Sequence, residues 1–107
     1  MMMTEKEILV ELNELNGWEF IDSKIVKFIE RGNQGKHLGY VVKKIWDAAE
    51  RADHHPDILL TYAGIKITLF THDESGITPK DIDFARDLDV KLKYILHPEK
   101  YGLNREN

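Results

Sequence analysis

Apolar residues recur along this chain with two periods, and the switches between them mark out its elements. Ile8, Leu9, Leu12 and Leu15 fall at helical spacing behind Thr4-x-x-Glu7, the pattern of a capping box. They predict a first helix that ends at Asn16-Gly17. The period then shortens. Trp18 to Ile21 and Lys24 to Glu30 are β-rich runs on either side of Asp22-Ser23, which predicts a hairpin. Arg31-Gly32-Asn33-Gln34-Gly35 reads as a loop. From about Lys36 to Asp53 the helical period returns, with Leu38, Val41, Val42, Ile45, Ala49 and Ala52 as its buried stripe. Ile58, Leu60 and Tyr62 next alternate with Leu59 and Thr61. Beyond a turn at Ala63-Gly64, Ile65, Ile67 and Leu69 alternate with Lys66, Thr68 and Phe70, so a second hairpin is predicted. His72 to Gly76 is a polar loop. Thr78-Pro79 opens a last helix with Thr as N-cap and Pro in first position. Ile82, Ala85, Leu88, Leu92 and Ile95 are its apolar stripe, and His97-Pro98 stops it.

The predicted order is α-β-β-α-β-β-α, an α+β fold. Two hairpins give one four-stranded antiparallel sheet, and three helices with one apolar stripe each cover a single face of it. Residues 1–97 are expected to form one domain and residues 98–107 a polar C-terminal tail. Isoleucines on both faces of the run Lys24 to Glu30 point to a partner subunit on the uncovered face.

Composition narrows the function classes. The 107 residues include no Cys, which excludes disulfides, thiolate metal sites and a cysteine nucleophile, and suits a reducing cytoplasm. The net charge of -4 offers no broad basic footprint for nucleic acid. No apolar run approaches the ~20 residues needed to cross a bilayer. The start, MMMTEKE, lacks the basic and apolar regions of a signal peptide and is expected to be frayed.

The chemistry gathers around ERADHHPDILLTY, residues 50 to 62. Glu50 and His54 are four apart and so share a helical face. His54 falls at the helix C-terminus, where the macrodipole favours a cation. An imidazole titrates near pH ~6.5 when unperturbed, so it can give or take a proton near neutrality. Pro56 holds His55 extended, and the two rings therefore need not point the same way. Counted outward from the turn, His72 reaches the same open end of the second hairpin, so His54, His55 and His72 are expected to converge on one concave site. Asp81 follows in the first turn of the last helix, where it can fix the tautomer of one ring or simply complete a capping box with Thr78. Glu50 and His54, taken alone, also fit a solvated helix pair. Trp18 and Trp46 are expected to be packing residues rather than ligand platforms, although a Trp could flank a flat ring, and His37 is expected to be exposed and idle. Three His and a carboxylate suggest zinc or iron as a competing reading. Adjacent His residues, however, ligate one metal poorly, and no His-x-x-x-His or His-Glu-x-x-His spacing occurs. Ser23 and Ser75 are the only serines, and neither lies in a strand-turn-helix elbow.

Glu50-x-x-x-His54-His55-Pro56, with Tyr62, His72 and Asp81 at their spacings, resembles the signature of the pterin-4a-carbinolamine dehydratase family. The element order from Thr4 to Ile95 is similar to that family's too. The resemblance implies a lyase that removes water from 4a-hydroxytetrahydropterin to give quinonoid dihydropterin, recycling a tetrahydrobiopterin-type cofactor without a metal or cofactor of its own. It implies His54 as the principal acid/base residue, His55 and His72 as its partners, and Glu50 and Asp81 as carboxylates that orient the rings. The pterin would be held by Asp53, His54, His55, Pro56, Thr71, His72, Asp73 and Glu74. The partners implied are the pterin and further copies of the chain, as a homodimer or homotetramer. Neither nucleic acid nor a membrane is among them. Some animal members bind a homeodomain transcription factor, so a non-catalytic dimerising module of the same fold is the alternative, beside a His-rich metal-binding protein. One departure is Ile58, where many members carry an aromatic residue.

Overall fold

The computed structural model describes residues 1–32 and 37–97. The expected loop residues 33–35, the start of the second helix at Lys36 and the expected tail from residue 98 lie outside the described residues. The elements are α1 (Glu5–Leu12), β1 (Trp18–Ile21), β2 (Lys24–Glu30), α2 (Leu38–Ala52), β3 (Asp57–Thr61), β4 (Gly64–Leu69) and α3 (Pro79–Leu96). A 3-10 turn, His72–Glu74, stands where a polar loop was expected.

The four strands form one antiparallel sheet in the order β1-β2-β4-β3. The β1–β2 turn is Asp22-Ser23, both with positive φ (51° and 65°), as a two-residue turn matching the strand twist requires. The second hairpin turns one residue earlier than expected. Gly64 already pairs with Thr61 and with Glu30, leaving Tyr62 and Ala63 as the loop.

Paired residues share a face, so the register assigns the two sides. Ile25, Ile29, Ile65, Ile67 and Leu69 face the helices and are buried. They pack with Ile8 and Leu12 of α1, Val41, Ile45 and Ala49 of α2, and Ile82, Ala85 and Leu88 of α3. Burying such side chains contributes roughly 1.5–3 kcal/mol each. Ile25 and Ile29 thus lie on one face. Their separation of four residues means that alternation cannot split them, and the expectation of isoleucines on both faces of β2 is corrected. The apolar residues that do face away are Val26 and Phe28.

Helix α1 stops at Leu12 rather than at Asn16-Gly17. Glu14 and Leu15 bond back three residues instead of four, and the amide of Asn16 is taken by Asp89 of α3 (3.3 Å). Asp89 also accepts from Trp18 Nε1 (2.9 Å) and Lys27 Nζ (3.0 Å), so a charge on the covered face of the sheet finds its partner there. On α2, Ala48 is buried and Ala52 exposed, because the helix ends at Ala52 and its last turn leaves the core. The N-terminus is tied down rather than frayed: the Met3 amide donates to the Ile77 carbonyl at 2.7 Å.

Gly64 is where the sheet tolerates no side chain. Its φ is +151°, and a Cβ there would stand 2.1 Å from the Ile29 carbonyl oxygen across the β2–β4 ladder. Substitution Gly64→Ala is expected to lower stability by about 2 kcal/mol or more, read as a lower midpoint in urea at unchanged slope. An unchanged midpoint would contradict this register.

Candidate active site

Helix α2 ends in a way that separates the two histidines. Asp53 adopts the left-handed conformation (φ 53°, ψ 41°). Its amide donates to the Glu50 carbonyl (3.3 Å), and that of His54 reaches back to Ala49 (3.2 Å). These bonds close the helix as a Schellman-type cap. His54 therefore leaves the helical face that four-residue spacing assigned to it, and its ring turns toward α3. His55 folds back instead. Its Nε2 lies 2.6 Å from Glu50 Oε2, and its ring packs on Trp46 with centroids 4.9 Å apart. Glu50 is thus the partner of His55, not of His54. The expected pair assumed a helix running through residue 54, and a helix that stops at residue 52 forbids it.

The carboxylate that meets His54 is Asp81. His54 Nε2 stands 2.6 Å from Asp81 Oδ1. Asp81 is fully buried, and 14% of the His54 side chain is exposed. The other carboxylate oxygen, Oδ2, accepts from Thr71 Oγ1 (2.6 Å) and from the Thr78 amide (3.0 Å). The two sequence readings of Asp81, helix cap and ring orienter, hold together with one oxygen each. Every donor to Asp81 needs an acceptor, so His54 gives it Nε2–H and keeps Nδ1 for other partners. The edge of the His54 ring also meets Phe84, 6.4 Å between centroids.

His72 lies apart from this pair. Thr71 points inward to Asp81, and His72 opens the 3-10 turn that follows it. The His72 ring is exposed and stands edge-on to Phe70, 5.2 Å between centroids, while Lys24 Nζ lies 4.7 Å from that Phe ring. The backbones do approach: the β3–β4 register, carried three residues past Asp57↔Thr68, sets His54 against Thr71. Yet among the described residues no hydrogen bond or ring contact joins His72 to His54 or His55.

Two hollows border the network. One of about 410 Å³ lies between the end of α2 and the start of α3, lined by Ala52, Asp53, His54, Lys80, Asp83, Phe84 and Asp87. Another of about 290 Å³ is bounded by Met1, Thr71, Asp73, Glu74, Thr78, Pro79 and Lys80. Both approach the volume of small-molecule sites, roughly 300–1,000 Å³. The segments expected to hold a ligand are thus divided: Asp53 and His54 line the first hollow, Thr71, Asp73 and Glu74 the second, and Lys80 borders both. His55, His72 and the buried Pro56 line neither of these two. Among the described residues, no three His, Asp or Glu side chains gather as a group able to hold a metal ion.

Sequence reasoning missed Lys80 and Phe84, gave Thr78 only a capping role and read Trp46 as a packing residue. Trp46 does pack, but on the His55 ring at the surface, where it is 43% exposed. The signal was present, since Trp46 lies four residues before Glu50 and shares its face. The expected stripe of α3 omits Phe84, although it lies four residues before Leu88; it is buried in the core, and the edge of its ring meets His54.

Comparison with known proteins agrees with this architecture. The model of the family described as pterin 4 alpha carbinolamine dehydratase matches residues 1–90. A relative from Aquifex aeolicus (strain VF5), provisionally named a pterin-4-alpha-carbinolamine dehydratase, is 38% identical over 94 residues, covering 88% of this chain and 94% of its own. A relative with the same provisional name from Sulfolobus acidocaldarius is 34% identical, over 83% of this chain and 97% of its own. The crystal structure of a transcriptional coactivator/pterin dehydratase from Brucella melitensis superposes with a TM-score of 0.76 at 29% identity, over 84% of this chain and 97% of that one. With the predicted helix and strand order in place and the match running from the first residue well into α3, this chain belongs to the pterin-4-alpha-carbinolamine dehydratase family.

Proposed function

We propose that this protein is a hydro-lyase that converts 4a-hydroxytetrahydropterin to quinonoid dihydropterin by histidine acid/base catalysis, returning a tetrahydrobiopterin-type cofactor to use. The observation that carries the reading is the 2.6 Å bond between His54 Nε2 and the buried Asp81. It holds an imidazole at the rim of a hollow with Nδ1 left to exchange a proton. In the reaction an imidazolium, assigned to His54, donates to the 4a-hydroxyl. The carbon–oxygen bond breaks and water leaves. A neutral base takes the proton of the adjacent ring nitrogen as the carbon–nitrogen double bond forms; the family resemblance, rather than the lining of either hollow, assigns this step to His55 or His72. Each positioned proton transfer typically contributes ~10²–10⁴-fold.

Asp81 and Glu50 orient the two adjacent rings, and the segments Asp53–Pro56 and Thr71–Glu74 hold the pterin, Thr71 through its backbone only because its hydroxyl is committed to Asp81. The chain acts as a homodimer or homotetramer. In support, β3 ends the sheet as an edge strand, and Leu59 on it is 56% exposed. The same edge, together with the coactivator in the Brucella protein's name, favours a second reading as a non-catalytic binding module. That reading requires no acceleration of dehydration.

Purified protein is expected to accelerate dehydration of a synthetic carbinolamine, followed by absorbance, with or without a chelator. His54→Ala should lower kcat by ~10²–10⁴-fold. Near-normal turnover in that variant would refute the assignment. Asp81→Asn, whose amide can present a donor to the ring and so admit the wrong tautomer, should cost ~10²-fold in kcat. Glu50→Gln alters a solvent-exposed pair and should cost less than ~10-fold. Equal effects in the two variants would contradict the asymmetry between the rings.

A further inference from the structure

We infer that the hydroxyls of Thr71 and Thr78 are positioning groups for His54, acting through Asp81, and that the Thr71 side chain does not bind substrate. The inference rests on the reading of His54 as the proton-transfer residue, and it follows from counting protons. Thr71 has one hydroxyl proton and gives it to Asp81 Oδ2 at 2.6 Å. Its oxygen also lies 2.8 Å from Thr78 Oγ1. With its own proton committed, Thr71 can only accept there, so Thr78 is the donor. Thr78 Oγ1 in turn accepts the amide of Lys80 at 3.3 Å, and a backbone amide cannot reverse its direction.

The bonds therefore run one way. The Lys80 amide donates to Thr78, the Thr78 hydroxyl to Thr71, and the Thr71 hydroxyl to Asp81. From its other oxygen Asp81 meets His54 Nε2. The chain begins on the first turn of α3, where the backbone is fixed, and ends on the imidazole. Thr71 and Thr78 are both buried, and among the described residues no buried side-chain nitrogen or oxygen lacks a partner. In a buried network each bond polarises the next, and loss of one member leaves the others unsatisfied. Removal of the Thr71 hydroxyl leaves Oδ2 with the Thr78 amide alone. The carboxylate is then free to turn, and the ring it holds turns with it.

The test uses the full-length protein and three variants: Thr71→Val, which keeps shape and removes the hydroxyl; Thr71→Ser, which keeps the hydroxyl; and Thr78→Val, which keeps the amide bond to Asp81. Two readouts are taken, steady-state kinetics and the ¹⁵N-edited NMR signals of the His54 ring. Thr71→Val is expected to lose about 10-fold in kcat with KM within about 2-fold, a loss of the size of a weakened proton-transfer step. Thr71→Ser is expected to restore kcat, and Thr78→Val to shift it in the same direction by less. The wild-type ring should show a protected Nε2–H, lost in Thr71→Val and regained in Thr71→Ser. Raised KM at unchanged kcat would make Thr71 a substrate contact and overturn the inference, as would a protected Nε2–H that persists in Thr71→Val. If Thr71→Val does not fold, Thr78→Val with wild-type kcat and wild-type ring signals overturns it equally. Should the wild-type protein prove inactive on the carbinolamine, the proposed function fails by itself, and the ring signals still decide whether the hydroxyls position His54.

Discussion

A single buried carboxylate organises this end of the molecule. Asp81 is fully removed from solvent, and an isolated charge in that position would be strongly unfavourable. It is tolerated because its oxygens meet the Thr71 hydroxyl, the Thr78 amide and His54 Nε2. Those donors come from the close of β4, the cap of α3 and the exit of α2. One side chain therefore fixes three separate stretches of chain against one another, and the geometry of the imidazole follows from that fixing. Loss of any one donor leaves part of a buried charge unmatched, so the arrangement is cooperative rather than a sum of independent contacts.

The adjacent histidines are given different surroundings by one residue of backbone. Asp53 in the left-handed region reverses the chain. His54 goes to a carboxylate shielded from water and His55 to one that is largely exposed, both at 2.6 Å. Equal distances do not mean equal coupling. The attraction between opposite charges weakens in high dielectric and is screened by salt, so the Glu50 pair orients its ring far more loosely than Asp81 does. Two chemically identical rings can thus serve as a fixed group and an adaptable one. The hollow between α2 and α3 opens on the fixed one, with Lys80 on its rim.

Much of the architecture was legible in the residues because local rules decide it. Both capping boxes, the Asp22-Ser23 turn, the two hairpins and the stripe of α3 follow from spacing and turn chemistry. The failures share a cause, which is that tertiary contacts ended or redirected a local pattern. The α1 pattern continued to Leu15, but Asp89 captured the Asn16 amide. Glu50 and His54 had the right spacing for a helix that in fact stops at Ala52. Trp46 was expected to pack, and what it packs on, the ring of His55 on the exposed side of α2, is set by the chain's turn back at His55. The seven spaced residues from Glu50 to Asp81 identified the family without revealing which carboxylate serves which ring. That pairing depends on the Asp53 reversal, for which Asp in place of the usual Gly is a weak signal.

A crystal structure of the protein with a dihydropterin that cannot lose water would test the account most directly. The account predicts the 4a edge of the bound ring about 3 Å from His54 Nδ1, with Nε2 still held by Asp81. A pterin bound away from His54, or an imidazole turned so that Nδ1 faces Asp81, would contradict it.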